Sequence, residues 1–155
     1  MSAEILKKIA LFDGMTSLQY QKIAAVLTEG KSTAGTRIFR EGDTGRSMFI
    51  IVDGRVRISK TVPGVGEEAL AILEKGQYFG EMSLIEDEPR SADAIAHSDC
   101  TLYELSREKL DQVMFTDKEL ANVLLWTFVR TLSARLRETN DKIRAFFALS
   151  SFGPR

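Results

Sequence analysis

The sequence predicts an α+β domain in which a small roll of short strands lies between N-terminal helices and one long C-terminal helix. Three observations support this prediction: a helical period near the N-terminus, short alternating segments between turn residues in the middle, and an uninterrupted helical pattern near the C-terminus. The 155-residue chain has the length of one ordinary domain with a buried core. We divide it into residues 1–116, the helices and the roll, and residues 117–155, the long helix and a short tail.

The segment SLQYQKIAAVL predicts the first helix. Thr16 or Ser17 is suited to cap it, because the side-chain oxygen of such a residue accepts from an unpaired main-chain N–H group. The apolar side chains then recur at helical spacing, at Tyr20, Ile23, Ala24 and Leu27.

Short strands follow. The segment SMFIIVDGRVRISK predicts two strands that form a hairpin around Asp53 and Gly54, since Asp-Gly suits a turn whose two central positions have positive φ. In the second strand, Val56 and Ile58 alternate with polar residues including Ser59, which predicts one dry and one wet face. EALAIL, SADAIA and CTLYELS predict three further strands. Several short strands at this spacing suggest a compact β-barrel or jelly roll.

A capping box at Thr116 and Glu119 predicts the start of the long helix. Neither glycine nor proline interrupts the chain from there to about Leu149. Thr139 is polar where the next apolar residue of the pattern is due. This spacing predicts a coiled coil with a second copy of the chain, and packing of the same face on the chain's own β-domain is the alternative. The apolar residues step by three and four: Leu125, Val129, Leu132, Leu136, Ile143 and Phe146.

The composition excludes several classes of protein. A net charge of −1 does not call for nucleic acid or an anionic membrane, and the apolar run LANVLLWTFV is too short to cross a bilayer. One cysteine, Cys100, cannot form an internal disulfide, so the cytoplasm is the expected location. One histidine, His97, cannot supply the several imidazoles of a jelly-roll metalloenzyme. We therefore expect neither a metal nor catalysis.

The stretch YFGEMSLIEDEPRSADAIA, residues 78–96, carries the candidate site. Gly80 and the EMSLI segment predict a turn that opens one short helix, whose first N–H groups favour an anion. Arg90 follows Pro89 in a loop, and its planar fork matches two oxygens of one phosphate. Glu81 offers an acceptor for a sugar hydroxyl. These groups describe a nucleotide with a single phosphate charge, but a structural salt bridge between Glu81 and Arg90 explains the two charges equally well.

The same stretch resembles the phosphate-binding cassette of the cyclic-nucleotide-binding domain family. The segments TRIFREGDTGRSMFIIVDGRVRIS and LFDGM are similar to further landmarks of that family, so the resemblance covers most of the chain. It implies an eight-stranded β-roll of the jelly-roll type. The family's pattern of Phe-Gly-Glu, a short apolar helix, Pro-Arg and a small residue is matched by Phe79, Gly80 and Glu81, then MSLI, then Pro89 and Arg90, then Ser91 and Ala92.

The resemblance also implies a role for each residue. Glu81 would accept a hydrogen bond from the ribose 2′-hydroxyl, and Arg90 would hold the cyclic phosphate. Gly80 would let the backbone approach the sugar. The rest of the phosphate cradle would come from the main-chain N–H groups near Met82 and Ser83, and from Ser91.

A narrower resemblance concerns the long helix. RLRETNDKI is similar to the C-helix of catabolite-activator-type (Crp/Fnr-like) receptor proteins, in which a Thr-Ser pair near the dimer seam touches the purine. Here the pair is Thr139 and Asn140, a departure at the second position. A polar residue that sets the register of the coil is the alternative for Thr139. Trp126, at helical spacing, is expected in the core or against the roll rather than over a base.

The expected function is a sensor that binds a cyclic nucleotide and signals through the long helix as a homodimer. Cyclic AMP is favoured over cyclic GMP only through the catabolite-activator likeness. Relatives with this helix usually continue into a DNA-reading domain. This chain ends at Arg155 and has a net charge of −1, so we expect no DNA binding by the protein itself, and an unidentified protein effector instead. The alternatives are a ligand-free interaction module, a fragment of a longer regulator, and a cupin-like enzyme with a bound metal.

Overall fold

The structure is a computed structural model, and it describes residues 4–150. Two 3-10 turns and four α-helices lie within this range. The turns span Leu6–Lys8 and Ala10–Phe12, and the helices are α1 (Ser17–Val26), α2 (Met82–Ile85), α3 (Arg107–Thr116) and α4 (Lys118–Ser150). The described residues also form eight strands: β1 (Thr28–Ser32), β2 (Arg37–Phe39), β3 (Ser47–Asp53), β4 (Arg55–Val62), β5 (Gly66–Glu74), β6 (Tyr78–Phe79), β7 (Asp93–Ala96) and β8 (Cys100–Ser106).

The strands form two four-stranded antiparallel sheets that face each other as a roll. The first sheet has the order β1-β8-β3-β6, and the second has the order β2-β7-β4-β5. The α+β jelly roll with eight strands, N-terminal helices and a long C-terminal helix is therefore confirmed. No helix within residues 4–150 has the length and hydropathy that crossing a membrane requires.

The first helix begins as the sequence predicts. Thr16 caps α1: its Oγ1 accepts from the Gln19 N–H at 3.3 Å, and the Gln19 Oε1 accepts from the Thr16 N–H at 2.9 Å. Tyr20 and Ile23 are buried in the helix, and Leu27 is buried just beyond its end. The helix therefore presents one apolar face to the core.

The first sheet separates two apolar clusters because alternate side chains of a strand point to opposite faces. In β3, Ile50 packs with the helices, whereas Ile51 packs between the sheets. In β8, Tyr103 and Leu105 lie on the helix side and Leu102 lies in the roll. Both faces of the first sheet are thus covered.

The predicted hairpin at Asp53 and Gly54 is wrong. β3 and β4 lie in different sheets, and the hairpin of this region is β4–β5, which turns at the PGVG segment. Gly54 has φ 86°, but Asp53 does not have a positive φ, because only glycines have one in the described chain. The two-residue turn would need a positive φ at both positions. A Cβ on Gly54 would lie 2.1 Å from the Asp99 carbonyl oxygen. Glycine is used here for a corner between the sheets rather than for a two-residue turn.

The wet face predicted for β4 is also wrong at one position. Ser59 is fully buried, and its hydroxyl has no hydrogen-bond partner. The register of β4 on β5 shifts between Ile58 and Ser59. Such an irregularity re-aims the side chains that follow it, so simple alternation does not hold past Ile58.

The predicted helix start at Thr116 is wrong by two residues, and α3 was not predicted. Ser106 caps α3 by accepting from the Lys109 N–H at 3.4 Å, and Thr116 is the last residue of that helix. Asp117 instead accepts from the Leu120 N–H at 2.9 Å at the start of α4. A carboxylate is favoured there because it also meets the positive end of the helix dipole.

The two sides of α4 differ in burial. Leu120, Leu124 and Phe128 pack in the helix-side core. The face predicted as a coiled-coil seam is not packed on the roll, because its members are exposed: Leu125, Val129, Leu132, Leu136, Ile143 and Phe146. Trp126 was expected in the core but is 57% exposed, because residues 124 and 128 take the buried positions.

Candidate functional site

A cavity of about 430 Å³ lies between the second sheet, the segment that follows β6, and α4. This volume falls within the roughly 300–1,000 Å³ of small-molecule sites. Eight of the nine predicted site residues line it: Phe79, Gly80, Glu81, Met82, Ser83, Arg90, Ser91 and Thr139. The ninth, Asn140, is exposed on α4 and is not part of the lining. The structure thus collects residues that are up to 60 positions apart in the sequence.

The segment after β6 forms the predicted turn and short helix. Gly80 has φ 78°, Glu81 is the residue before the helix, and α2 follows as a single turn. A Cβ on Gly80 would lie 2.7 Å from Arg90 Nη1 and 3.2 Å from the Ser47 carbonyl oxygen. Glycine is therefore required both by the backbone angle and by the close approach of the arginine.

Arg90 is a buried charged group of the cavity and is only 5% exposed. Its Nη1 donates to the carbonyl oxygens of Ser47 at 2.7 Å and of Gly80 at 3.1 Å, and its Nη2 donates to Ser47 Oγ at 3.3 Å. The guanidinium carbon lies 4.1 Å from the ring centroid of Phe39. The Nε atom has no partner. The guanidinium is thus held in place by three hydrogen bonds, while its Nε–H remains without an acceptor.

The charge of Arg90 is not neutralised by a direct partner. Within residues 4–150, no ion pair joins Arg90 to a carboxylate, so the alternative of a Glu81–Arg90 salt bridge is wrong for this structure. Burial lowers the pKa of Arg90 from its ordinary value, and the more distant carboxylates of Glu104, Asp43 and Glu81 act against that shift. A buried cation without a counter-charge is costly. An anion in the cavity would supply that charge.

The seat of Arg90 includes a residue that the sequence analysis missed. A Cβ on Gly45 would lie 2.1 Å from Arg90 Nε and 2.5 Å from its Cζ. Gly45 is in the loop before β3 and has no unusual φ, so its role is to leave space for the guanidinium. No local pattern marks this role, because the two residues are 45 positions apart.

Glu81 is the second buried charge of the cavity, at 6% exposure. Arg135 of α4 forms an ion pair and a hydrogen bond with its Oε1. The guanidinium carbon of Arg135 lies 4.8 Å from the ring centroid of Tyr78. The sequence analysis missed Arg135, since nothing in a helical pattern shows which distant carboxylate a surface arginine will meet.

The α4 wall of the cavity is polar and open. It consists of Arg135, Glu138, Thr139 and Lys142. Lys142 Nζ lies 2.9 Å from Glu138 Oε1, and these two side chains are 75% and 66% exposed. Thr139 therefore faces the cavity between charged neighbours, which leaves its hydroxyl available to a ligand.

A second concavity of about 220 Å³ lies between α2, α3 and α4. It is lined mainly by apolar side chains such as Leu84, Met114 and Phe128. The charged pair at its edge, Arg107 and Asp111, is already joined at 3.0 Å. Among the described residues that line this groove, none has a buried side-chain polar atom without a partner, so the polar cavity is the candidate site.

A β-roll with a buried arginine and a buried carboxylate in one cavity is typical of proteins that bind a small anionic ligand. The sequence profile of the cyclic nucleotide-binding domain matches residues 29–117, which is more than half of the chain. The chain therefore belongs to the cyclic nucleotide-binding domain family, and the resemblance drawn from the sequence is confirmed.

Individual proteins that are similar to this chain are also named for cyclic nucleotides. The chain is 28% identical over 140 residues to the CRP-like cAMP-activated global transcriptional regulator of Mycobacterium tuberculosis, covering 90% of this chain and 61% of that protein. It is 27% identical over 170 residues to human cGMP-dependent protein kinase 2, covering 95% of this chain and 22% of the kinase. The chain thus spans less than two thirds of either relative.

A solved structure of a cyclic nucleotide-binding domain from Methylobacillus flagellatus superposes with a TM-score of 0.81 at 29% identity. The match covers 99% of this chain and 83% of that domain. The long C-terminal helix is therefore part of the shared fold.

Proposed function

We propose that the protein is a regulatory sensor that binds a cyclic purine nucleotide, with cyclic AMP favoured over cyclic GMP, and does no chemistry on it. The main support for this proposal is that Arg90 and Glu81 are both buried in one cavity. Arg90 has no direct counter-charge in the described chain. A cyclic nucleotide brings one phosphate charge and one ribose hydroxyl, which these two groups complement.

The ligand is oriented by the order of groups along the cavity. Its cyclic phosphate pairs with Arg90 at the inner end, where Ser91 and the main-chain N–H groups of Met82 and Ser83 complete the cradle. Its ribose 2′-hydroxyl donates to Glu81. The base then extends toward α4, where Thr139 faces the cavity.

The choice of base rests on the helix. Relatives named for cyclic AMP and for cyclic GMP are about equally similar to this chain, at 28% and 27% identity. The preference for cyclic AMP comes from the catabolite-activator likeness of the segment around Thr139 and Asn140. A titration with both nucleotides decides between them.

The homodimer is part of the proposal. The apolar face of α4 is exposed over three heptads, which a second copy of the helix would cover. Asn140 does not line the cavity of its own chain. In the dimer, it would contact a base that is bound in the cavity of the other copy. Ligand binding would then shift the helix, provided the two helix positions differ in affinity. With a net charge of −1, we propose a protein effector rather than DNA as the partner of this chain.

Calorimetric titration and thermal unfolding test the function together. At a free nucleotide concentration of a hundred times the dissociation constant, we expect about 2.7 kcal/mol of added stability. The competing function, a ligand-free interaction module, predicts no heat of binding and no change in melting temperature with either nucleotide. That result would refute the sensor.

A further inference from the structure

Trp126 stands on the surface of α4 beside the exposed apolar face of that helix. Its side chain is 57% exposed, and it directly follows Leu125, the first residue of that face. A tryptophan buries about 150–250 Å² when it is packed, so its exposure leaves a large apolar area in water. Tryptophan is also enriched where proteins associate. Its position is therefore typical of an association surface.

The apolar groove of about 220 Å³ between α2, α3 and α4 adjoins the same face. Leu125, Val129 and Leu132 belong both to the exposed face and to the wall of the groove. The groove is smaller than the roughly 300–1,000 Å³ of small-molecule sites, which favours a protein side chain as its occupant. Asp111 at its edge is 58% exposed and offers a carboxylate acceptor, which suits the N–H group of an indole.

The heptad register places Trp126 and the groove on opposite flanks of the apolar face. With Val129 at position a and Leu125 at position d, Trp126 is at position e, whereas Phe128, which lines the groove, is at position g. Trp126 does not line the groove of its own chain. In a parallel two-stranded coil, the e positions of one helix lie beside the g positions of the other. The Trp126 of one copy then lies beside the groove of the other copy.

We propose that the Trp126 of each copy fills the apolar groove of the other copy in a parallel homodimer. This inference rests on the homodimer of the proposed function and adds a contact between α4 of one copy and the body of the other. Leu84 and Ile85 of α2 form one wall of the groove, and Met82 and Ser83 of the same helix line the nucleotide cavity. The contact therefore joins the long helix of one copy to the nucleotide segment of the other.

An antiparallel pair of helices makes a different prediction. Trp126 would then lie beside the C-terminal part of the other α4, far from the groove, which residues 124–132 of α4 line. The tryptophan would stay largely exposed in that dimer, whereas the parallel dimer removes it from water. The exposure of Trp126 in the dimer thus distinguishes the two arrangements.

The test measures both the association of the chain and the exposure of Trp126, the only tryptophan of the sequence. Sedimentation gives the dissociation constant of the dimer. Acrylamide quenching of the intrinsic fluorescence gives the exposure of Trp126 at concentrations below and above that constant. We expect quenching to be severalfold weaker in the dimer than in the monomer.

Two variants place a charge in the groove without changing α4: Ile85→Glu and Met114→Glu. Ile85 is 42% exposed, so a charge there should leave the fold of the monomer intact, and circular dichroism checks the fold of both variants. Gln112→Glu is the matched control, because Gln112 is exposed on α3 and does not line the groove. The groove variants should weaken association and should restore the quenching of Trp126, whereas the control should do neither.

The tryptophan itself is tested by Trp126→Ala. This variant should weaken association by about 10²-fold, because a buried aromatic anchor contributes about tenfold or more and two-fold symmetry forms the contact twice. Phe115→Ala removes another aromatic side chain, which is 79% exposed on α3 and does not line the groove, and it should leave association unchanged.

Three results overturn the inference and leave the homodimer standing: a dimer in which Trp126 is quenched as strongly as in the monomer, unchanged association of Trp126→Ala, or a Trp126 that stays protected in both groove variants. In the last case the tryptophan is buried elsewhere. A chain that stays monomeric at every concentration, with and without cyclic AMP, refutes the homodimer and the inference with it. Calorimetry with cyclic AMP tests the nucleotide binding of the proposed function separately from these outcomes.

Discussion

The inner end of the cavity and its α4 wall are built in different ways. Arg90 is buried and is held by main-chain carbonyls and an aromatic ring of the roll. Glu81 is buried directly after the tight turn at Gly80, and its carboxylate meets Arg135 of α4. Glu138 and Lys142 are exposed and stand on a helix whose apolar face is uncovered. Recognition of the anion is thus preorganised, whereas contacts at the wall depend on where α4 lies. Under the proposed function, most of the affinity would therefore come from the roll, and signalling would come from the helix.

Removal of the inner cation should have the largest effect. Arg90→Ala should weaken cyclic nucleotide binding by about 10²–10³-fold, because the phosphate loses its buried partner. The fold should remain, since Arg90 forms no ion pair in the described chain. The lost hydrogen bonds to Ser47 and Gly80 should lower the melting temperature without unfolding the protein. Calorimetry measures the affinity and a melting scan measures the stability. Arg137→Ala, on the exposed side of α4, should change neither the affinity nor the stability. An Arg90→Ala variant that binds normally would show that the buried part of the cavity contributes no more to affinity than the α4 wall does.

The free face of α4 is the next test. Leu136→Glu should dissociate the proposed dimer, because a charge buried at such a seam costs several kcal/mol. Monomer stability should stay within about 0.5 kcal/mol, since Leu136 is 62% exposed. Sedimentation measures the association. Ala134→Glu adds the same charge at an exposed position two residues earlier and should leave the dimer intact; equal behaviour of the two variants would mean that this face is not the seam.

A smaller effect is expected where the roll makes space for the guanidinium. Gly45→Ala should weaken nucleotide binding by about tenfold, because the new methyl group displaces Arg90 from its seat into a less favourable rotamer. Stability should change little, since Gly45 has no positive φ and the displaced atoms belong to a flexible side chain. Gly30→Ala is the matched control, with no atom within 4 Å of its added Cβ. Equal affinities of the two variants would show that the inner end tolerates movement.

The smallest effect is expected at the wall. Thr139→Ala should weaken binding by about threefold to tenfold, the value of one neutral hydrogen bond. The loss should differ between cyclic AMP and cyclic GMP, because Thr139 meets the base while Arg90 and Glu81 meet parts that both nucleotides share. Titration of both ligands into this variant measures the difference. An equal loss for the two bases would place the hydroxyl outside base recognition.

The residue pattern predicts the ligand segment and five of the eight strands of the described chain, because these signals are local; the strands β1, β2 and β6 were not predicted. Phe79, Gly80 and Glu81 are adjacent, and each local choice agrees with the turn and short helix that form. Pairing between strands is different. Gly54 supplies the backbone freedom of a hairpin but is used at a corner, where the Asp99 carbonyl leaves no room for a Cβ. Only the arrangement of the two sheets decides between these uses.

The missed site residues share one cause. Gly45 and Arg135 act on Arg90 and Glu81 across 45 and 54 positions, and no period or motif connects such pairs. The start of α4 was missed for a local reason: Thr116 and Asp117 are adjacent cap candidates, and the charged one caps the helix. Both residue types can cap a helix, so the choice between Thr116 and Asp117 depends on the backbone geometry, which the sequence does not show.

Trp126 has a practical consequence. It is the only tryptophan of the 155-residue sequence, it stands 57% exposed on α4, and it does not line the nucleotide cavity. Its intrinsic fluorescence should therefore respond to what happens along the helix rather than to occupancy of the pocket. The molecule thus carries an intrinsic fluorophore on the helix whose movement the proposed function requires, with no label attached.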